Sequence, residues 1–395
     1  VAAVYPRYFG MAKTALSTPI PIAAIAVAQT LDVPTPIPPT PTPLPSPTPT
    51  TEAPRSLAVI ILPTVAPTST PTPTQVPMQH QVELRKTGAQ FPFIVDGQRR
   101  FIKGINYNVN YTALSDDVKR KYHLRDFKVM REAGINAVIG WGVYDLVTLE
   151  IARQFGIGVI MPFELNASGA YENKGYREQT KESFRKFILQ YKDSPAVWGW
   201  NPGGDELLHR METEHHRTPD KLQAASDFLL ELSTLAYSLD PKHVSIVKEP
   251  RDWYVPYIQE SIRKIRKLNP AVDPNQYFIF AVNTYGKPDG VSLVLSTTRQ
   301  AVEDRMNIAF AIGEFAPFGL AKSDRADNYR TMWKSVLEQS SIGGFAYVFG
   351  PDQPNPQSPN PYDPLRLLVS EFSLLDSEGK PVDNSFNALA SEWRE

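Results

Sequence analysis

From about residue 81, short β-branched and aromatic runs alternate with stretches whose apolar positions recur every three to four residues. A short continuous apolar run reads as a strand buried on both faces, and a 3.6-residue period as an amphipathic helix. The first strand-like runs are Gln81–Ile94 and Gln98–Ile102, flanking Val95-Asp96-Gly97, an Asp-Gly hairpin signal. Phe101–Asn108 then predicts a strand and Leu124–Ala133 a helix. The next pairs are Ala137–Trp141 with Leu146–Phe155, Gly158–Glu164 with Tyr176–Tyr191, and Ala196–Trp200 with Leu222–Leu239. They continue as His243–Glu249 with Ile258–Leu268, Tyr277–Tyr285 with Thr298–Met306, and Ala309–Phe315 with Tyr329–Gln339. Last come Gly344–Phe349 and a helix within Pro364–Trp393.

Strands that alternate with helices call for a parallel sheet. Eight such units in about 290 residues fit an α/β fold of the closed (β/α)8, or TIM-barrel, type. An open doubly wound sheet would carry a glycine-rich phosphate turn after its first strand, and G-x-G-x-x-G is absent.

Ahead of residue 81 the pattern is different. Residues 1–80 hold 18 of the 37 prolines, and residues 34–49 read PTPIPPTPTPLPSPTP. Proline lacks the amide N–H and fixes φ, so such a run predicts an extended polyproline II spacer. The expected organisation is therefore an arm over residues 1–80 and a barrel domain over residues 81–395. Two apolar islands, residues 20–28 and 57–62 (LAVIIL), interrupt the arm. The second packs on its own domain or adds a strand to a neighbouring copy, giving a homo-oligomer or filament. The first residue is Val1 rather than Met, which processing of a precursor or shortening of the chain would leave.

Charge and cysteine content remove several classes of function. With 41 basic and 42 acidic side chains there is no basic surplus for a nucleic-acid partner. Zero cysteines exclude disulfides, thiolate metal sites and a thiol nucleophile. No apolar run is long enough to span a membrane. Pro/Thr spacers without cysteine are typical of secreted or cell-surface prokaryotic proteins, so the expected setting is extracellular.

The active site of such a barrel lies at the C-terminal ends of its strands. Here those ends are polar and aromatic. They carry Asn106 and Tyr107, Trp141, Glu164, Trp200 with Asp205 and Glu206 beyond it, Lys248 and Glu249. The last three strands supply Asn283 and Tyr285, Glu314, and Phe349. Carboxylates beside aromatic rings and amides suit sugar chemistry: rings stack on pyranose faces, amides hold hydroxyls, and two carboxylates perform the displacement. His209, His215 and His216 share no clear helix face and read as a solvated loop rather than a metal site.

Six segments carry a family resemblance: FIKGINYN, LRDFKVMREAGINAV, ARQFGIGVIMPFE, YKDSPAVWGWNPGGDE, AVNTYG and AIGEFAPFG. In order and placement the chain resembles the clan A glycoside hydrolases, retaining enzymes with both catalytic Glu on a (β/α)8 barrel. The likeness spans about residues 85–350. It implies Glu206 as acid/base, after the fourth strand, and Glu314 as nucleophile, on the seventh. The strand ends offer substrate contacts from Asp205, Asn106, Tyr107, Trp141, Trp200, Asn283, Tyr285 and Phe349, and the wide polar rim with the Pro/Thr tether favours a β-linked polysaccharide as partner. No cofactor or metal is required. Three positions depart from the clan. Asp205 replaces its usual Asn, the second strand ends in Val138-Ile139-Gly140-Trp141 without an Arg, and Phe349 stands where Trp is common. The rival reading is a barrel with vestigial activity, reused as a structural subunit and joined through its arm.

Overall fold

The computed structural model describes residues 80–394 apart from 89, 110, 112–113, 143, 319–320 and 351–371. The Pro/Thr-rich arm, its apolar islands and the proline-rich stretch after the eighth barrel strand lie outside the described residues. Three short strands come first: β1 (Val82–Leu84), β2 (Phe93–Val95) and β3 (Gln98–Arg100), an antiparallel sheet in the order β1-β2-β3. Eight parallel strands then close into a barrel. They are β4 (Ile102–Asn106), β5 (Ala137–Ile139), β6 (Gly158–Glu164), β7 (Val197–Gly203), β8 (Val244–Pro250), β9 (Phe278–Gly286), β10 (Ala309–Pro317) and β11 (Gly343–Ala346). The helices between them are α1 (Asp116–Glu132), α2 (Leu146–Phe155), α3 (Lys174–Tyr191), α4 (Leu207–His215), α5 (Pro219–Leu239), α6 (Val255–Leu268), α7 (Pro288–Arg299) and α8 (Arg325–Gln339). A final helix, α9 (Asn384–Arg394), follows β11.

Strand residues point alternately into the barrel and out toward the helices. Ile139, Ile160, Ile246, Ile279 and Phe345 belong to the inner cluster, and Ile105, Val138, Met161, Val247, Phe280 and Ile312 to the outer one. The interior is packed solid. A Cβ on Gly104 would lie 2.2 Å from Phe345 Cδ1, so this position has room only for glycine. Two bulges break the alternation. One sits at Trp198, where Val159 pairs with Val197 but Ile160 with Gly199. The other sits at Gly313, between Ile312 and Glu314.

The small sheet seals the N-terminal end of the barrel. Val82, Phe91, Phe93 and Val95 are buried in the same cluster as the barrel interior. Phe93 packs on Trp198 with ring centroids 6.0 Å apart. The backbone N–H of Val82 donates to Lys242 O at 2.7 Å, and His80 Nε2 lies 3.0 Å from Val197 O. Both acceptors lie at the N-terminal ends of barrel strands. Phe93→Ala should lower stability by about 3–5 kcal/mol, as for other large-to-small core changes. Urea unfolding checks this, and a loss below about 1 kcal/mol would mean that the sheet is not part of the core.

Three sequence expectations need correction. The run Gln81–Ile94 is two strands, β1 and β2, and the Asp96-Gly97 turn joins β2 to β3; both turn residues have positive φ, as an Asp-Gly hairpin requires. The helix expected at Thr298–Met306 starts ten residues earlier: α7 begins at Pro288 and runs into a π-helical stretch over Gln300–Arg305 that covers most of the expected residues. Pro288 and Asp289 open its first turn. α1 begins at Asp116 because Ser115, Asp116 and Asp117 form a helix start whose exposed first turns lack an apolar stripe.

Candidate active site

Alternation along three strands brings the key side chains together. On β8, Val244 and Ile246 face inward, so Lys248 does too, while Glu249 faces the helices. On β9 the inward series Ile279, Ala281 continues to Asn283 and Tyr285. On β10 strict alternation from Ala309 and Ala311 would turn Glu314 outward. The bulge at Gly313 resets the phase, and Glu314 meets Lys248 inside. A Cβ there would lie 2.5 Å from Asn283 Oδ1, so a larger residue would push the Asn283 amide aside. Beyond β7, the tight Gly203-Gly204 turn, both at positive φ, swings Asp205 and Glu206 over the same end.

The resulting cluster is close-knit. One carboxylate oxygen each from Asp205, Glu206 and Glu314 lie within 4.8 Å of one another. Lys248 Nζ donates to Glu314 Oε1 at 2.5 Å and reaches Asp205 Oδ1 at 3.0 Å. The cation among these carboxylates is therefore an ammonium. Tyr285 OH donates to Glu314 Oε2. Asn283 Nδ2 donates to Glu206 Oε1 at 2.8 Å. Glu206, Glu314 and Lys248 are all buried.

The two glutamates thus stand in unlike surroundings. Glu314 takes an ammonium and a phenol, whereas Glu206 takes a neutral amide. Burial pushes the Glu314 carboxyl up to about 7, against the ammonium of Lys248; the Asp205 charge pushes it the same way as burial. Burial pulls the Lys248 ammonium down, but Asp205 and Glu314 outweigh it and hold it above the ordinary lysine value.

Several expected contacts are not at the site. Tyr107 is wholly buried on the outer face of β4, where its OH donates to Asp126 Oδ2 at 2.7 Å and meets His123 Nδ1 at 2.9 Å. Asn106 and Tyr107 are adjacent, and alternation allows only one to face inward. Asn106 does so, but its Nδ2 donates to Gly313 O at 3.1 Å and braces the bulge under Glu314. Trp200 is also wholly buried on the helix side, its Nε1 donating to Asp240 Oδ2 at 3.0 Å; the bulge at Trp198 puts it there. Phe349 packs edge-on against Tyr107 with centroids 5.4 Å apart and belongs to the outer core. Tyr347, two residues earlier, stands edge-on to Tyr285 with centroids 5.5 Å apart. Trp141 is half-buried at the end of β5 and remains available as a platform.

Lys248 is the member of the cluster that the sequence did not assign, although its place two residues after Ile246 gave the signal. Glu164 pairs with Arg210 at 2.6 Å. Glu249 is buried and receives the backbone N–H of Leu208 at 2.8 Å and of His209 at 3.2 Å. His209 is not solvated as expected: it lies buried in α4, with Nδ1 3.1 Å from Tyr254 OH.

No protein-family model matches the chain, and no curated protein matches it in sequence. Solved structures do. A β-glucuronidase of Faecalibacterium prausnitzii superposes with a TM-score of 0.58 at 19% identity, over 80% of this chain and 51% of that one. A β-glucuronidase of Bacteroides uniformis gives 0.57 at 16% identity, over 78% and 37%. A β-galacturonidase of Eisenbergiella tayi gives 0.56 at 14% identity, over 79% and 54%. What they share with this chain is the barrel. The chain spans between 37% and 54% of the length of these three structures. No helix among the described residues is long and apolar enough to cross a membrane.

Proposed function

We propose that the chain is a retaining β-glycosidase or transglycosylase acting on a β-linked polysaccharide. The observation that carries this reading is that Glu206 and Glu314 meet at the C-terminal end of the barrel, with one carboxylate oxygen of each within 4.8 Å of the other. Retaining enzymes hold their carboxyl groups about 5–5.5 Å apart, whereas inverting ones leave about 6.5–9.5 Å for a water. In the proposed reaction Glu314 attacks the anomeric carbon as the bond to the leaving oxygen breaks. Glu206 gives that oxygen its proton. It then takes a proton from water, or from an acceptor sugar, as the new C–O bond forms and Glu314 is released. Tyr285 and Lys248 hold the Glu314 oxygens, and Asn283 aims Glu206. The Pro/Thr-rich composition of residues 1–80 supports an extracellular setting, with that segment as an arm ahead of the barrel domain.

Release of reducing ends, or change in chain length, from β-glucans, mannans, galactans and uronate-containing polymers tests this reading. Activity that disappears in Glu314→Gln supports it, and a folded protein inert on every glycan overturns it.

A nucleophile must be ionised. With the Glu314 carboxyl at about 7, kcat/KM should rise with pH through about 7 rather than near the ordinary 4.5. The same shift acts on stability. A carboxyl raised in the fold favours folding most when protonated, below about 4.5, and that contribution is lost as pH rises through about 7. A pH–rate profile with its acid limb near 4.5 would contradict this environment for Glu314.

One observation favours the second reading, a barrel kept as a structural subunit. Lys248 neutralises Glu314 and Asp205 as a buried ion pair would in a site with no further use. On that reading the glycan panel stays silent, and removing residues 1–78 dissolves an assembly.

A further inference from the structure

A helix leaves the amides of its first turn unpaired, and the side chain of its N-cap residue ordinarily accepts from them. The N-cap of α4 is Glu206, and it makes no such bond. Its backbone is left-handed, with φ 42° and ψ 48°, a conformation that a non-glycine residue keeps only when its surroundings enforce it. Its carboxyl turns inward instead, to Asn283. The vacant capping role is filled from another strand. Both oxygens of Glu249, wholly buried on the outer face of β8, accept from the second and third amides of α4, Leu208 N at 2.8 Å and His209 N at 3.2 Å.

The rest of α4 is fixed on both flanks. Tyr254 OH donates to Glu212 Oε2 at 2.6 Å and meets His209 Nδ1 at 3.1 Å. On the other side Arg210 Nη2 donates to Leu165 O at 2.9 Å and pairs with Glu164. These bonds hold the body of the helix. Glu249 takes the amides two and three residues after Glu206, and so bears on where that residue begins the turn.

We propose that Glu249 is a positioning residue. It caps α4 in place of Glu206, and so frees the Glu206 carboxyl to face the leaving group in the geometry that proton transfer needs. The inference rests on the reading of Glu206 as the acid/base. It assigns adjacent residues of one strand to opposite tasks: Lys248 serves the nucleophile from the inner face, and Glu249 serves the acid from the outer face.

The test compares two aryl β-glycosides of one sugar, with the full chain. A dinitrophenyl group departs without a proton, whereas a methoxyphenyl group needs one. Glu249→Ala should lower kcat/KM on the methoxyphenyl glycoside by about 10- to 100-fold, the loss expected when an acid is displaced by a fraction of an ångström to an ångström. On the dinitrophenyl glycoside the loss should stay within about threefold, because no acid is required. Glu249→Gln, which keeps one carbonyl acceptor and the same shape, should show the same dependence more weakly; it carries the test if the alanine variant does not fold. General loosening of the barrel would lower both substrates alike, and that result, or no loss on either, overturns the proposal. Glu206→Gln is the reference. If it shows no dependence on the leaving group, or if wild type cleaves neither glycoside, the reading of the site itself fails. If Glu206→Gln shows the dependence and the Glu249 variants do not, only the proposal fails.

Discussion

Glu314→Gln is expected to lower kcat/KM by on the order of 10⁴-fold or more, the scale on which hydrolases lose rate when the nucleophile is removed. The amide keeps the volume of the side chain but cannot form the glycosyl ester. The fold should survive, because Lys248 keeps Asp205 as its counter-charge at 3.0 Å. Thermal unfolding of the variant beside wild type checks that point. Glu314→Ala adds a positive test. Azide should occupy the vacated space and give a glycosyl azide of inverted configuration. Activity within about tenfold of wild type in Glu314→Gln would remove this residue from the mechanism.

Lys248→Met should be strongly destabilising. It leaves the buried Glu314 and the largely buried Asp205 facing each other with no cation between them. Removing one partner of a buried ion pair costs about 3–5 kcal/mol, because the charge left behind is unsolvated. The Glu314 carboxyl should also rise further, so the acid limb of kcat/KM should move above about 7. Adding Asp205→Asn removes one of the stranded charges, and the double variant should recover part of the stability. That non-additivity is the signature of a shared cluster. Urea unfolding of the two single variants and the double variant measures it. A single-variant loss below about 1 kcal/mol, or strict additivity, would mean that Lys248 is not the keystone of this charge cluster.

The repeat of strand and helix was legible because each barrel strand is buried on both faces and reads as an unbroken apolar run. The two glutamates stood out through the resemblance of their segments, YKDSPAVWGWNPGGDE and AIGEFAPFG, to the clan A pattern, and the structure brings the two side chains together. The direction of individual side chains was less so. Strict alternation would have separated Asn106 from Tyr107 and paired Lys248 with Ile246, and that information was present in the sequence. The bulges were not. At Trp198 and Gly313 an extra residue reverses the inward face, sending Trp200 out and bringing Glu314 in, and neither shift leaves a mark in the hydrophobic pattern. The role of Glu249 was hidden for another reason. Its partners are backbone amides 41 and 40 residues away, and a sequence carries no sign of which carboxylate will cap which helix.

The small sheet β1-β2-β3 closes the barrel at the end opposite Glu206 and Glu314, and His80 enters there, against the start of β7. Changes in this sheet, or at His80, therefore act on the barrel from the end remote from the carboxylate cluster, without touching any of its members.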